Sequence, residues 1–73
     1  MALSQVQKIF VQQLKNLGAD RNMVIGISLM LKKSEQSLIE LILWIEDNNP
    51  TLDEISEKAL EICDNLPPEL RPA

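Results

Sequence analysis

The chain has 73 residues, a formal net charge of -4 and a hydrophobic content of 45%. This length predicts one domain, near the size at which a single core only just offsets the conformational entropy of folding. One cysteine and no histidine exclude an intrachain disulfide, an imidazole-activated nucleophile and a zinc site of ordinary ligand composition. We therefore predict no cofactor and no enzymatic activity, and we expect oligomerisation to add the stability that a small core lacks.

Apolar periodicity and capping residues predict an all-α fold, a compact bundle of four short helices followed by an extended, proline-rich tail. The predicted helices cover 5–17, 21–33, 35–48 and 52–65. They form a single domain over 1–66, and the tail covers 67–73.

The first predicted helix has apolar residues at spacings of three and four, namely Leu3, Val6, Phe10, Leu14 and Leu17. Ser4 and Gln7 are placed to form a capping box at its start. Gly18 stands where a left-handed residue would end it.

The second predicted helix contains the first of two long apolar stretches, 23–31. A strand is the alternative for this stretch, because periodicity alone cannot assign a short apolar run. We predict a helix that begins at an N-cap, Asp20, because nothing else in the chain resembles a strand that could pair with it.

Capping residues also begin the third and fourth predicted helices. Ser34 precedes the third helix, which holds the second apolar stretch, 38–45. Thr51 and Glu54 predict a capping box at the start of the fourth helix. Its apolar stripe consists of Leu52, Ile55, Ala59, Ile62, Cys63 and Leu66. We expect Cys63 to be structural and the acidic residues opposite this stripe to face solvent.

Charge is unevenly distributed along the chain. Residues 1–33 contain five cations and one acid, whereas residues 46–73 contain two cations and eight acids. Because the two parts attract each other, we expect the last helix to lie near the first, or subunits to dock antiparallel.

The two apolar stretches exceed what a monomer of this size can cover. We expect the first and fourth helices to lie outside and the second and third to form the centre. A face of the two central helices is then buried in a twofold homodimer or against another protein. The predicted interface residues are Ile25, Gly26, Ser28, Leu29, Ile39, Ile42, Leu43 and Trp44. Trp44 is the predicted anchor, and its alternative role is at the edge of the monomer core.

Membrane insertion and secretion are not predicted. The polar segment 32–37 interrupts the apolar residues before they reach the length of a bilayer span. The N-terminus has no basic segment followed by an apolar one, and a lone thiol fits the cytoplasm.

A small DNA-associated regulator is the alternative function, because consecutive helices joined by short turns also fit a helix-turn-helix. Its basic patch would consist of Lys8, Lys15, Lys32 and Lys33. We favour a protein partner over nucleic acid, because the third and fourth predicted helices contain a single cation, Lys58.

Three short segments carry a family resemblance: 17–19 after the first helix, 20–29 in the second and 38–42 in the third. On these segments, residues 14–45 resemble the ubiquitin-associated domain and its translation-factor relatives. The resemblance implies a compact three-helix module that binds other proteins. It carries over no binding residues to this chain.

Overall fold

The computed structural model describes residues 4–71, which form four α-helices and a final 3-10 turn. The elements are α1 Gln5–Asn16, α2 Arg21–Met30, α3 Glu35–Asn48, α4 Leu52–Asp64 and the turn Pro68–Leu70. The predicted all-α bundle of four short helices is therefore confirmed. The stretch 23–31 is helical as far as Met30, which excludes the strand alternative. Leu3, predicted on the first apolar stripe, lies outside the described residues.

Local capping sequences explain why the helices begin where they do. The hydroxyl of Ser4 accepts a hydrogen bond from the Gln7 amide at 3.1 Å, and the Gln7 side chain accepts one from the Ser4 amide at 3.1 Å. Thr51 and Glu54 make the same reciprocal pair at 3.2 and 2.9 Å. These bonds satisfy amides that have no partner within the helix. Single side-chain caps begin the other two helices, at Asp20 and Ser34.

Helix α2 ends three residues before its predicted end. The amide of Ser34 donates to the carbonyl of Leu31 at 3.1 Å, which closes a turn over residues 31–33. Leu31 and Ser34 are both buried, so packing holds both ends of this turn in place. Lys32 therefore lies in the turn between α2 and α3 and not in the last turn of a helix.

The four helices occupy the corners of a square. Helix α1 packs against α2 and α3, and α4 packs against the same two helices. Within residues 4–71, no Cα atom of α1 lies within 8 Å of α4, and none of α2 lies within 8 Å of α3. Two expectations are therefore wrong: α2 and α3 are not a central pair, and the last helix does not lie beside the first.

Burial of apolar side chains explains this arrangement better than charge does. All four helices contribute to one core of Phe10, Leu14, Val24, Ile27, Leu31, Leu38, Leu41, Ile42, Ile45, Ile55, Ala59 and Leu66. Burying one large apolar side chain contributes about 1.5–3 kcal/mol, whereas an exposed ion pair contributes about 0–1 kcal/mol. The core thus places α1 and α4 at opposite corners despite their opposite charges. Leu17, predicted in the first stripe, is exposed at the end of α1.

The segment after α4 folds back onto it instead of extending. Leu66 is buried, Leu70 is half-buried, and Pro68–Leu70 form a 3-10 turn between Pro67 and Arg71. The guanidinium of Arg71 donates to the carbonyls of Leu66 at 2.8 Å and Asp64 at 2.7 Å. Asp64 is the last residue of α4 and Leu66 follows it, so both carbonyls lie at the helix end, where backbone acceptors lack helical partners. The expectation of an extended tail is therefore wrong for residues 68–70.

The two glycines are expected to respond oppositely to alanine substitution. Gly18 has φ 86°, a conformation that costs a residue with a Cβ about 1 kcal/mol, so Gly18→Ala should lower the free energy of unfolding by that amount. Gly26 is exposed on α2. Apart from its chain neighbours and the backbone of its own helix, no atom of the described residues lies within 4 Å of the position that a Cβ would occupy there, so Gly26→Ala should raise the free energy of unfolding by about 0.5–1 kcal/mol. Urea unfolding of both variants measures whether each substitution raises or lowers the free energy of unfolding. A loss of stability in Gly26→Ala would contradict the packing described.

Candidate docking groove between α1 and α2

A groove of about 1030 Å³ runs along the outside of the bundle between α1 and α2. We call it the α1/α2 groove. Its apolar lining consists of Val11, Ala19, Val24, Ile25 and Leu29. Leu29 is 57% exposed and Ile25 is 44% exposed, so two large apolar side chains of α2 face solvent in a concave surface. Concave, mostly apolar surfaces with a few polar groups are typical of binding sites.

The polar lining of the α1/α2 groove is positively charged. Lys15, Arg21 and Lys32 line it, and all three side chains are exposed. No acidic residue lies among the described residues that line the groove. The combination of apolar side chains with three cations suits an occupant that is apolar on one face and anionic at its edges.

One buried polar atom in the α1/α2 groove has no partner. The hydroxyl oxygen of Ser28 is buried and makes no hydrogen bond to any described residue. A buried hydroxyl without a partner costs about 1–3 kcal/mol.

A second exposed apolar surface lies on α3. Leu43 is 54% exposed, and Ile39, one helical turn before it, is also exposed. Glu35 lies one turn before Ile39, and Glu46 lies one turn after Leu43, so acidic residues flank the apolar pair on the same helix face. This surface is thus apolar and acidic, whereas the α1/α2 groove is apolar and basic.

The structure divides the eight predicted interface residues among different surroundings. Ile25, Ser28 and Leu29 line the α1/α2 groove, and Gly26 is exposed on α2 beside it. Ile39 and Leu43 form the separate surface on α3. These residues do not form one continuous face, because α2 and α3 occupy opposite corners of the bundle.

Two of the predicted interface residues belong to the monomer itself. Ile42 is buried in the core, so it is not available to a partner. Trp44 is half-buried against the core and faces α4, where the ammonium of Lys58 lies 5.6 Å from its ring centroid. Trp44 therefore occupies the edge-of-core position that was its alternative role, and its part in an interface stays a prediction.

Three lysines of the nucleic-acid alternative line two separate hollows. Lys15 and Lys32 line the α1/α2 groove. Lys8 lies two turns before Lys15 on α1 and lines a different hollow, together with Glu46 of α3. A carboxylate beside Lys8 lowers the positive potential available to phosphate there.

The groove residues that the sequence did not predict come from α1 and from the start of α2. Val11 and Lys15 lie one turn apart beside the buried stripe of α1, and Arg21 is the first residue of α2. Periodicity identifies Val11 and Lys15 as neighbours on one helix face. Only the packing of α1 against α2 brings them next to Ile25 and Leu29.

Metal-binding side chains are not clustered within residues 4–71. No group of three or more His, Cys, Asp or Glu residues in this part of the chain could hold a metal ion. Cys63 is a free, half-buried cysteine that packs against the core. Among the same residues, none of the helices has the length and apolar character needed to cross a membrane.

The structure defines a four-helix bundle with an open groove lined by apolar and basic residues. Comparison with protein families, with curated proteins and with solved structures gives no match to this chain.

Proposed function

We propose that this protein is a small, non-enzymatic interaction module whose α1/α2 groove binds an acidic amphipathic helix of a protein partner. The observation that carries the proposal is the exposure of Ile25 and Leu29 in a groove that three cations line. Helix-in-groove binding uses apolar anchors one turn apart, which matches the spacing of these two residues. The resemblance of residues 14–45 to ubiquitin-associated modules, which bind proteins, supports the same class of function.

The dimensions of the groove favour a helix over a small molecule. Arg21 begins α2 and Lys32 lies two residues beyond its end, and the ten-residue helix between them is about 15 Å long. An occupant that reaches both cations spans roughly three helical turns. A cytoplasmic location, suggested by the single cysteine, completes the proposal.

A pair of synthetic helical peptides tests the proposal. The first has leucines four residues apart flanked by glutamates, and the second has lysine in place of every glutamate. We expect the labelled acidic peptide to bind the dilute protein and the basic peptide to bind at least tenfold more weakly, because like charges would meet at the groove. Fluorescence anisotropy measures both affinities. Equal affinity for the two peptides would contradict the proposal.

Matched leucine variants locate the binding surface. Leu29→Ser should weaken binding of the acidic peptide about tenfold, because it removes an apolar anchor. Leu60 of α4 is 53% exposed, nearly the same as Leu29, and does not line the groove. Leu60→Ser is therefore the control and should leave the affinity unchanged. An equal loss in the two variants would place binding elsewhere on the molecule.

A further inference from the structure

Two exposed stripes on α2 and α3 have opposite charge and the same spacing. The α2 stripe consists of Arg21, Ile25, Leu29 and Lys32. The α3 stripe consists of Glu35, Ile39, Leu43 and Glu46. All eight residues are exposed, and each α3 residue follows its α2 counterpart by 14 positions. Each stripe is therefore an apolar pair, one turn apart, with a charged residue beyond each end.

Both stripes have the order charged, apolar, apolar, charged, so they are complementary in either direction, although Lys32 lies in the turn after α2. A parallel arrangement places Arg21 opposite Glu35 and Lys32 opposite Glu46. An antiparallel arrangement exchanges the two ends and again pairs a cation with an anion. In both arrangements the apolar pair of one stripe meets the apolar pair of the other, as in helix-in-groove recognition.

The two stripes cannot meet within one molecule. Helix α1 packs against both α2 and α3, and no Cα atom of α2 lies within 8 Å of α3 in the part of the chain that the structure describes. The ion pair found within residues 4–71 joins Lys58 and Glu61, and none involves the charged ends of the stripes. The four charged residues of the stripes therefore form no ion pair within residues 4–71, so each can form one with another molecule.

Like stripes repel each other. Two copies joined through α2 would bring Arg21 and Lys32 against the same cations, and two copies joined through α3 would bring Glu35 and Glu46 against the same acids. Like charges facing each other across an interface are destabilising. A twofold dimer built on either helix alone is therefore disfavoured, although its apolar residues would match.

We propose that the α3 stripe of one copy docks in the α1/α2 groove of a second copy. This inference rests on the proposed function of the groove and specifies its occupant. The two stripes lie on helices at opposite corners of the bundle, so a second copy that covers one stripe does not reach the other. The contact is therefore head-to-tail: in a pair, one copy keeps its α2 stripe free and the other copy keeps its α3 stripe free. Such a contact continues into a ring or a filament instead of closing as a twofold dimer. It replaces the twofold homodimer expected from the sequence.

Complementary surface variants test the head-to-tail contact. The pair Ile25→Ser with Leu29→Ser inactivates the α2 stripe, and the pair Ile39→Ser with Leu43→Ser inactivates the α3 stripe. Sedimentation velocity of the intact wild-type chain should show a mass that grows beyond a dimer with concentration. Each double variant alone should be monomeric, and their equimolar mixture should form a 1:1 complex that does not grow. A mixture that stays monomeric while the wild type associates would overturn the proposal.

Charge reversal provides a second, independent readout. Arg21→Glu with Lys32→Glu should weaken self-association at least tenfold, and so should Glu35→Lys with Glu46→Lys. The chain that carries all four changes should associate again, because each charged residue of the α2 stripe then faces an opposite charge on the α3 stripe. Leu60→Ser is the control that leaves the mass distribution unchanged. Failure of the fourfold variant to regain association, with its helical content intact, would contradict the pairing of the two stripes.

The outcomes separate this inference from the proposed function. A wild-type chain that stays monomeric at every concentration, yet binds the acidic peptide through Leu29, overturns the self-docking and leaves the interaction module in place. A monomeric chain that binds neither peptide overturns both.

Discussion

Replacing Phe10 with alanine is expected to lower the free energy of unfolding by about 3–5 kcal/mol. Phe10 is fully buried in the core that all four helices share, and it is one of only two aromatic residues in the chain. Its removal loses apolar burial and leaves a cavity that the surrounding leucines and isoleucines fill only in part. A domain of this size has little stability in reserve, so a large fraction of the variant should be unfolded at ambient temperature.

The neighbouring residue provides the control for Phe10. Ile9 precedes Phe10 on the same helix but is 47% exposed, so Ile9→Ala should cost less than about 1 kcal/mol. Urea unfolding followed by far-ultraviolet circular dichroism compares the two variants at low protein concentration. Similar losses in Phe10→Ala and Ile9→Ala would contradict the position of α1 in the bundle.

Replacing Ser34 with alanine is expected to cost about 2 kcal/mol, an unusually large loss for a serine at a helix start. The hydroxyl of Ser34 accepts a hydrogen bond from the Ser37 amide at 3.3 Å and donates one to the Ser37 hydroxyl at 2.8 Å. Both serines are buried. The substitution removes the cap, worth about 1 kcal/mol, and leaves the Ser37 hydroxyl buried without its partner, at a cost of about 1 kcal/mol more.

Two further variants separate the contributions at Ser34. Ser37→Ala keeps the cap but leaves the buried Ser34 O–H without its acceptor, so it should cost about 1 kcal/mol, half the loss expected for Ser34→Ala. Asp20→Ala removes an exposed cap, that of α2, and should cost about 1 kcal/mol. Thermal unfolding ranks the three variants. A smaller loss in Ser34→Ala than in Asp20→Ala would show that burial adds nothing to this cap.

Helix starts could be predicted from the sequence because their causes are local. The hydroxyl of Ser4 and the carboxylate of Asp20 each bond an amide three residues away, so a short window contains the whole interaction. The end of α2 depends on a long-range cause. The turn after Met30 forms because Leu31 and Ser34 are buried against other helices, and no local pattern reveals that burial.

The excess of exposed apolar residues on α2 and α3 could also be predicted, but its division into two surfaces could not. Periodicity places Leu29 and Leu43 away from the buried stripes of their helices. It does not show which helix packs against which side. The square arrangement separates Leu29 from Leu43, turns Trp44 towards α4 and brings Lys15 of α1 into the groove.

The charge asymmetry along the chain does not determine the fold. The attraction between the basic and acidic parts of the chain is weak at a solvated surface, so it does not decide which helices are neighbours. The same asymmetry acts more strongly in docking, where apolar surfaces come together and charged groups lose part of their water. We therefore expect the charge asymmetry to influence which partner binds, and not which helices are neighbours in the fold.

The location of peptide binding on the intact protein tests the central claim most directly. Backbone amide chemical shifts of the dilute, isotope-labelled protein can be followed as the acidic peptide is added. We predict that the largest changes occur at Ile25, Leu29 and Lys32 in and beside α2, with further changes at Val11 and Lys15 of α1, the residues that line the groove. Changes centred on α4, or none at saturating peptide, would contradict the assignment of the α1/α2 groove as the docking surface.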